Sequence, residues 1–110
     1  MPPFPHYELR DRDSDAPIAR VAASPFLSAW ESLDRAGVHL RTTCRGSTIC
    51  GLCRVEVVEG ADLLPPVLPD EAALLGPDRD ATPPVRLACR IRMPAGMERL
   101  VLRARGVTRS

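Results

Sequence analysis

Cys44-Arg45-Gly46-Ser47-Thr48-Ile49-Cys50-Gly51-Leu52-Cys53 carries three of the four cysteines of this chain, and the fourth, Cys89, stands in Arg86-Leu87-Ala88-Cys89-Arg90. The spacing is C-x5-C-x2-C-x35-C, with no cysteine left over. Gly46 and Gly51 follow within two residues of Cys44 and Cys50. A residue without a Cβ belongs where backbone must approach something closely or take an unusual φ.

Four thiolates in two distant pieces of sequence suit an inorganic cluster. A [2Fe–2S] core needs two thiolates on each tetrahedral iron, and N–H donors to balance the charge on its bridging sulfides. A short loop wrapped around the core supplies both. Gly46 and Gly51 permit the close approach, Arg45, Ser47 and Thr48 can donate to sulfur, and Ile49 and Leu52 form an apolar lid. Exclusion of water helps to set the potential. Three other uses of the same residues remain open. Structural zinc takes four cysteines, usually as two C-x2-4-C knuckles, whereas only Cys50 and Cys53 form such a pair here. Paired disulfides suit a secreted domain, and the N-terminus lacks a basic segment followed by an apolar run. A thioredoxin-like C-x2-C dithiol opens a helix after a strand, whereas this pair leads into a strand. His39 and His6 are the only histidines and lie well away from the cysteines, so the His-for-Cys exchange of Rieske centres is not indicated. Both read as structural or solvent-facing.

The 110 residues read as a single domain, with residues 1–5, three of them proline, as an extended leader of disordered composition. No run approaches the about eighteen apolar residues of a membrane span. Acids at Glu8, Asp11, Asp13 and Asp15 argue against a transit peptide. The expectation is a cytoplasmic protein. All fifteen basic residues are arginine, and the chain has no lysine, asparagine or glutamine. That bias fits a genome rich in G and C. The net charge of +1 gives no reason to expect nucleic acid. Charge is nonetheless segregated. Glu56 to Asp80 holds seven acids and one base, while Arg41, Arg45 and Arg54 surround the cysteine loop and four arginines occupy the tail from Arg99.

Tyr7–Arg10 and Pro17–Ala23 read as two strands joined by the polar run at 11–15. Ser24-Pro25 reads as a helix start, with Phe26, Leu27, Trp30 and Leu33 at helical spacing and Gly37 as the stop. Cys53–Glu59 alternates as a half-buried strand with Val55 and Val57 inward, ended by Gly60. A covering loop over 61–68 leads into a short helix, Pro69–Leu75, stopped by Gly76-Pro77. Residues 78–84 read as loop, Val85–Arg92 as a strand carrying Cys89, Pro94 with Gly96 as a turn, and Met97–Ala104 as the last strand. The sum is α+β: a mixed sheet of about five strands with one main helix packed across it.

The motif Cys44–Cys53, followed by Arg54-Val55-Glu56-Val57 and later by Arg86–Arg90, resembles the [2Fe–2S] ferredoxins of β-grasp fold. The five-residue first gap is that of adrenodoxin-like and related bacterial members; plant-type ferredoxins have four. The likeness runs from the strand at Tyr7 to the strand near Leu102. It implies one [2Fe–2S] cluster, with Cys44 and Cys50 on the iron nearer the surface and Cys53 and Cys89 on the inner one. It also implies electron entry and exit near residues 44–50. In adrenodoxin-like proteins an acidic helix between the third and fourth cysteines docks a basic reductase. Asp70, Glu71, Asp78 and Asp80 occupy that place. Arg45, with Arg41 and Arg54, departs from the pattern: positive charge there raises the potential and favours an acidic partner.

The resulting expectation is a monomeric one-electron carrier, not an enzyme, that takes electrons from a ferredoxin reductase. It passes them to an oxygenase such as a cytochrome P450 or to another acceptor protein. No G-x-G-x-x-G offers a nucleotide site. Two other readings stay open: a redox-sensing or protective protein that binds an enzyme according to cluster state, and a zinc-stapled interaction module.

Overall fold

A computed structural model describes residues 5–24, 26–40, 53–93 and 96–109. The first hairpin is β1 (His6–Asp11) and β2 (Pro17–Ala22), paired antiparallel. Helix α1 (Ala29–Arg35) and the short β3 (Val38–His39) follow. Beyond the cysteine loop come β4 (Arg54–Glu59), α2 (Pro69–Leu75), β5 (Val85–Leu87), β6 (Arg99–Ala104) and β7 (Thr108–Arg109). The main sheet has the order β2-β1-β6-β4-β5. β1 and β6 run parallel while the other pairs are antiparallel, so the sheet is mixed as expected.

Period-two alternation builds the core. Tyr7, Leu9, Val55, Val57, Val85, Leu87, Leu100 and Leu102 are buried together with Trp30 and Leu33 of α1. Trp30 is thus a core anchor. Each such side chain removed from water contributes about 1.5–3 kcal/mol. The opposite face of the sheet carries an arginine–carboxylate network. Glu8 meets Arg10 and Arg20, and Glu56 meets Arg12 and Arg103. Burial opposes ionisation of Glu8, but the Arg10 hydrogen bond and the charges of Arg10, Arg99 and Arg20 outweigh it. They hold its carboxyl below the usual range.

Three local expectations need correction. Helix α1 begins at Ser28, whose hydroxyl accepts from the Glu31 N–H at 3.2 Å. Ser24 instead accepts from the N–H groups of Phe26 and Leu27 and closes a turn, which leaves Phe26 86% exposed. The strand expected over Val85–Arg92 ends at Leu87, and Cys89 sits in a 3₁₀ turn over Ala88–Arg90. Gly76, at φ +58°, ends α2 as expected, but the chain continues as a 3₁₀ turn, Gly76–Asp80, rather than as open loop. The arginine tail contains β7, which pairs with β3 and is tied by Arg109 to the Ile18 carbonyl at 2.9 Å. His6 belongs to β1 and is buried.

Candidate metal centre

Two of the four cysteines are described. Cys53 immediately precedes β4 and is buried; Cys89 follows β5 and is partly exposed. β4 and β5 are neighbours, with Arg54 opposite Leu87. The Ala88 N–H donates to the Cys53 carbonyl at 2.8 Å, which extends the pairing to the cysteines themselves. The two Sγ atoms come to 3.2 Å, although 36 positions separate them in sequence. That separation is well beyond the about 2.05 Å of a disulfide. It falls about 0.5 Å short of the about 3.7 Å edge of a tetrahedron built on ~2.3 Å metal–sulfur bonds, a gap that small side-chain rotations can open. Two thiols converging from separate elements, one of them buried, therefore fit adjacent ligand positions on one metal. Cys44, Arg45, Gly46, Ser47, Thr48, Cys50, Gly51 and Leu52 lie outside the described residues, as does Arg41.

The residues flanking the pair are arginines, and the structure gives each an anionic or carbonyl partner. Arg86, in β5, holds the Glu71 carboxylate at 2.8 and 2.9 Å and the Pro65 carbonyl at 2.8 Å. The Leu87 N–H donates to the same carboxylate at 3.1 Å. Arg54, directly after Cys53, pairs with Asp78 and donates to the Leu75 carbonyl at 3.1 Å and to that of Leu74 at 2.6 Å. Lone C-terminal carbonyls of a helix want such donors. Arg90, directly after Cys89, pairs with Asp70.

These contacts revise the expected docking surface. Glu71 is 2% exposed and cannot meet a partner. Its carboxylate locks α2 to β5. Asp70 and Asp80 are exposed and Asp78 is partly so. Arg54 is no bare cation beside the cysteines, because Asp78 compensates it. His39 lies 2.6 Å from Asp34 through Nδ1, a contact between α1 and β3 that matches its structural reading. Sequence reasoning missed Arg86 and Glu71 as a buried pair. The only local hint was that Glu71 precedes the buried Leu75 by four residues and so shares its helix face.

Near this centre α1, the 61–68 segment and the 88–92 segment enclose an open cleft of about 580 Å³, lined by Glu31, Pro65, Leu68, Arg90, Arg92 and Cys89 among others. Tyr7 belongs to the core beneath the sheet; burial pushes its hydroxyl up to about 12. No helix among the described residues is long and apolar enough to cross a membrane.

The family described as 2Fe-2S iron-sulfur cluster binding domain matches residues 22–94. The chain belongs to that family. Its cofactor is accordingly one [2Fe–2S] cluster, and its fold is the β-grasp fold of these ferredoxins. Among solved structures, the chain is similar to a ferredoxin from Rhodopseudomonas palustris HaA2. The two share 26% identity, with 96% of this chain and 100% of that one covered and a TM-score of 0.77. Putidaredoxin from Pseudomonas putida, in a reduced variant, matches at 20% identity over 90% of this chain and 94% of its own, TM-score 0.72. Putidaredoxin also matches in a covalent complex with putidaredoxin reductase, at 21% identity over 90% and 96% of the two chains, TM-score 0.71. A ferredoxin reductase in carbazole 1,9a-dioxygenase matches at 25% identity over 94% of this chain and only 27% of that one, TM-score 0.65. No curated protein matches the chain.

Proposed function

We propose that this family member is a one-electron carrier whose cluster is held by Cys44, Cys50, Cys53 and Cys89, with the 110 residues acting as one cytoplasmic domain. The observation that carries the reading is the 3.2 Å approach of the Cys53 and Cys89 sulfurs from two adjacent elements. The cluster, when bound, supplies reversible Fe(III)/Fe(II) cycling. The chain's own residues position and shield it. The Ala88–Cys53 hydrogen bond sets the separation of the two sulfurs, and the buried core excludes water from the Cys53 side. Burial of Cys53 shields the inner iron of this reading, so electrons enter and leave near residues 44–50.

The partners that fit are a ferredoxin reductase as donor and an oxygenase or other redox protein as acceptor. Support comes from the neighbours: one is captured with its reductase, another is part of a dioxygenase system. Asp70, Asp78 and Asp80, together with Arg45, remain the docking residues of this reading.

The test begins with the visible spectrum of purified protein and assays of iron and acid-labile sulfide. About two of each per chain, with bleaching by dithionite, are expected. Cys53→Ser and Cys89→Ser should each alter or abolish that spectrum; an unchanged spectrum in either variant overturns the ligand assignment. Reduction by NADH through a ferredoxin reductase, followed by turnover of an acceptor, is expected next. A cluster that reduces chemically yet passes no electron to any acceptor would overturn the carrier role.

A further inference from the structure

Cys53 and Cys89 meet at the corner where β4 begins and β5 ends, and they differ in access. Cys53 is 1% exposed. Cys89 is partly exposed and lines the open cleft between α1, the 61–68 segment and the 88–92 segment. Their Sγ atoms stand 3.2 Å apart, against about 2.05 Å in a disulfide, so about 1.2 Å of travel would join them. Side-chain rotation covers that distance while the backbones stay in place. The Ala88 N–H bond to the Cys53 carbonyl and the β4–β5 ladder hold the corner from within. The buried Glu71 carboxylate holds it from outside, through Arg86 and the Leu87 N–H. The chain's own hydrogen bonds thus keep two thiols of unequal access close together. A small oxidant can reach one sulfur, and the other can close on it.

We infer that Cys53 and Cys89 form a peroxide-driven disulfide when the cluster is lost, with Cys89 oxidised first and Cys53 resolving it. This rests on the ligand assignment of the electron-carrier reading and goes beyond it. In the first step the Cys89 thiol attacks one oxygen of hydrogen peroxide. The O–O bond breaks, the sulfur becomes a sulfenic acid, and one water leaves. In the second step the Cys53 thiol attacks the Cys89 sulfur. The S–S bond forms, the S–O bond breaks, and the hydroxyl departs with the thiol proton as a second water. Two thiols have given up two electrons, and one peroxide has accepted them. The bridge keeps Cys89 from the irreversible sulfonic acid. A dithiol reductant reopens it and returns both ligands.

The experiment starts from the cluster-loaded full chain. Hydrogen peroxide is added until the visible absorbance is gone, remaining thiols are alkylated, and the protein is digested with trypsin without reduction. Arginines at 41, 45, 54, 86 and 90 place Cys44 in residues 42–45, Cys50 with Cys53 in 46–54, and Cys89 in 87–90. Mass spectrometry is expected to find 46–54 joined to 87–90, with fragment ions locating the bond at Cys53, in more chains than all other pairings together. A dominant bridge within 46–54 or to Cys44 overturns the inference. So does a Cys89 bridged to Cys50, or one carried on to the sulfonic acid beside an alkylated Cys53. Dimedone present during oxidation traps sulfenic acid and must mark Cys89 ahead of Cys53; the reverse overturns the assigned order. After dithiothreitol, iron and sulfide should restore the visible spectrum, and a spectrum that does not return overturns the protective role. The masses are read without any electron transfer, so failure here leaves the carrier reading standing, and a carrier that fails its turnover assay can still show the bridge.

Discussion

Replacement of Glu71 by glutamine tests the pivot on which the metal centre rests. The side chain is 2% exposed and receives three hydrogen bonds, two from Arg86 at 2.8 and 2.9 Å and one from the Leu87 N–H at 3.1 Å. Glutamine keeps the shape and one acceptor oxygen but removes the charge. Arg86 then remains buried with the Pro65 carbonyl as its main partner. Breaking a buried pair from one side costs about 3–5 kcal/mol. The surviving acceptor places Glu71→Gln near the lower end, about 3 kcal/mol. That is a large share of the about 5–15 kcal/mol that holds a domain of this size folded. At about 4 °C per kcal/mol the apparent melting temperature falls by roughly 12 °C. Thermal unfolding of the cluster-loaded protein, followed by far-ultraviolet circular dichroism and by visible absorbance, reads both the fold and the centre. The two signals should fall together, because the Leu87 N–H lies two residues before Cys89. Glu71→Leu with Arg86→Met should cost less than Glu71→Gln alone, since no charge is stranded, although the Leu87 N–H loses its acceptor. A Glu71→Gln protein that melts within about 1 kcal/mol of wild type would refute the reasoning.

Other outcomes can be checked on the same protein. Gly60→Ala should destabilise by about 2 kcal/mol in urea titrations, because φ is +97° and a Cβ would lie 2.7 Å from Leu100 Cδ1 and 2.8 Å from Met97 Cε. Ser28→Ala should cost about 1 kcal/mol as the loss of a helix cap, and Ser24→Ala distinctly less; the reverse order would restore the earlier helix start. Because the Glu8 carboxyl titrates below its ordinary range in the folded state, its contribution is present above the unfolded value of about 4.3 and is lost as pH falls through the folded one. The stability gap between wild type and Glu8→Gln should therefore be widest near neutral pH and close on acidification. A gap that is constant across that range removes the Glu8 network from the acid response.

How much was legible beforehand depended on the range of the interaction. The cluster motif could be read because ligand spacing is local chemistry: three cysteines and two glycines within ten residues constrain what the loop can bind. Strands β1, β2, β4 and β6 followed from alternation, and α2 from Pro69 with Asp70 and Glu71 at its start. The start of α1 was legible but misread: Ser28-Ala29-Trp30-Glu31 has the S-x-x-E spacing of a capped helix, and Ser24-Pro25 competed with it.

The tertiary structure alone decided what each charge is for. Asp70 and Glu71 are adjacent acids on one short helix, equivalent by composition. A turn of about 100° per residue sends one to solvent and the other against β5, where Arg86 arrives from fifteen positions away. The same holds for Arg54, Arg90 and the tail. Their partners Asp78, Asp70 and Ile18 lie twenty or more residues off and meet them only when the sheet closes. Spacing along the chain pointed to a [2Fe–2S] cofactor, since a cluster motif is a property of residue types and short distances in sequence. Which carboxylates are structural and which face solvent is a property of burial, and burial exists only once the chain has folded.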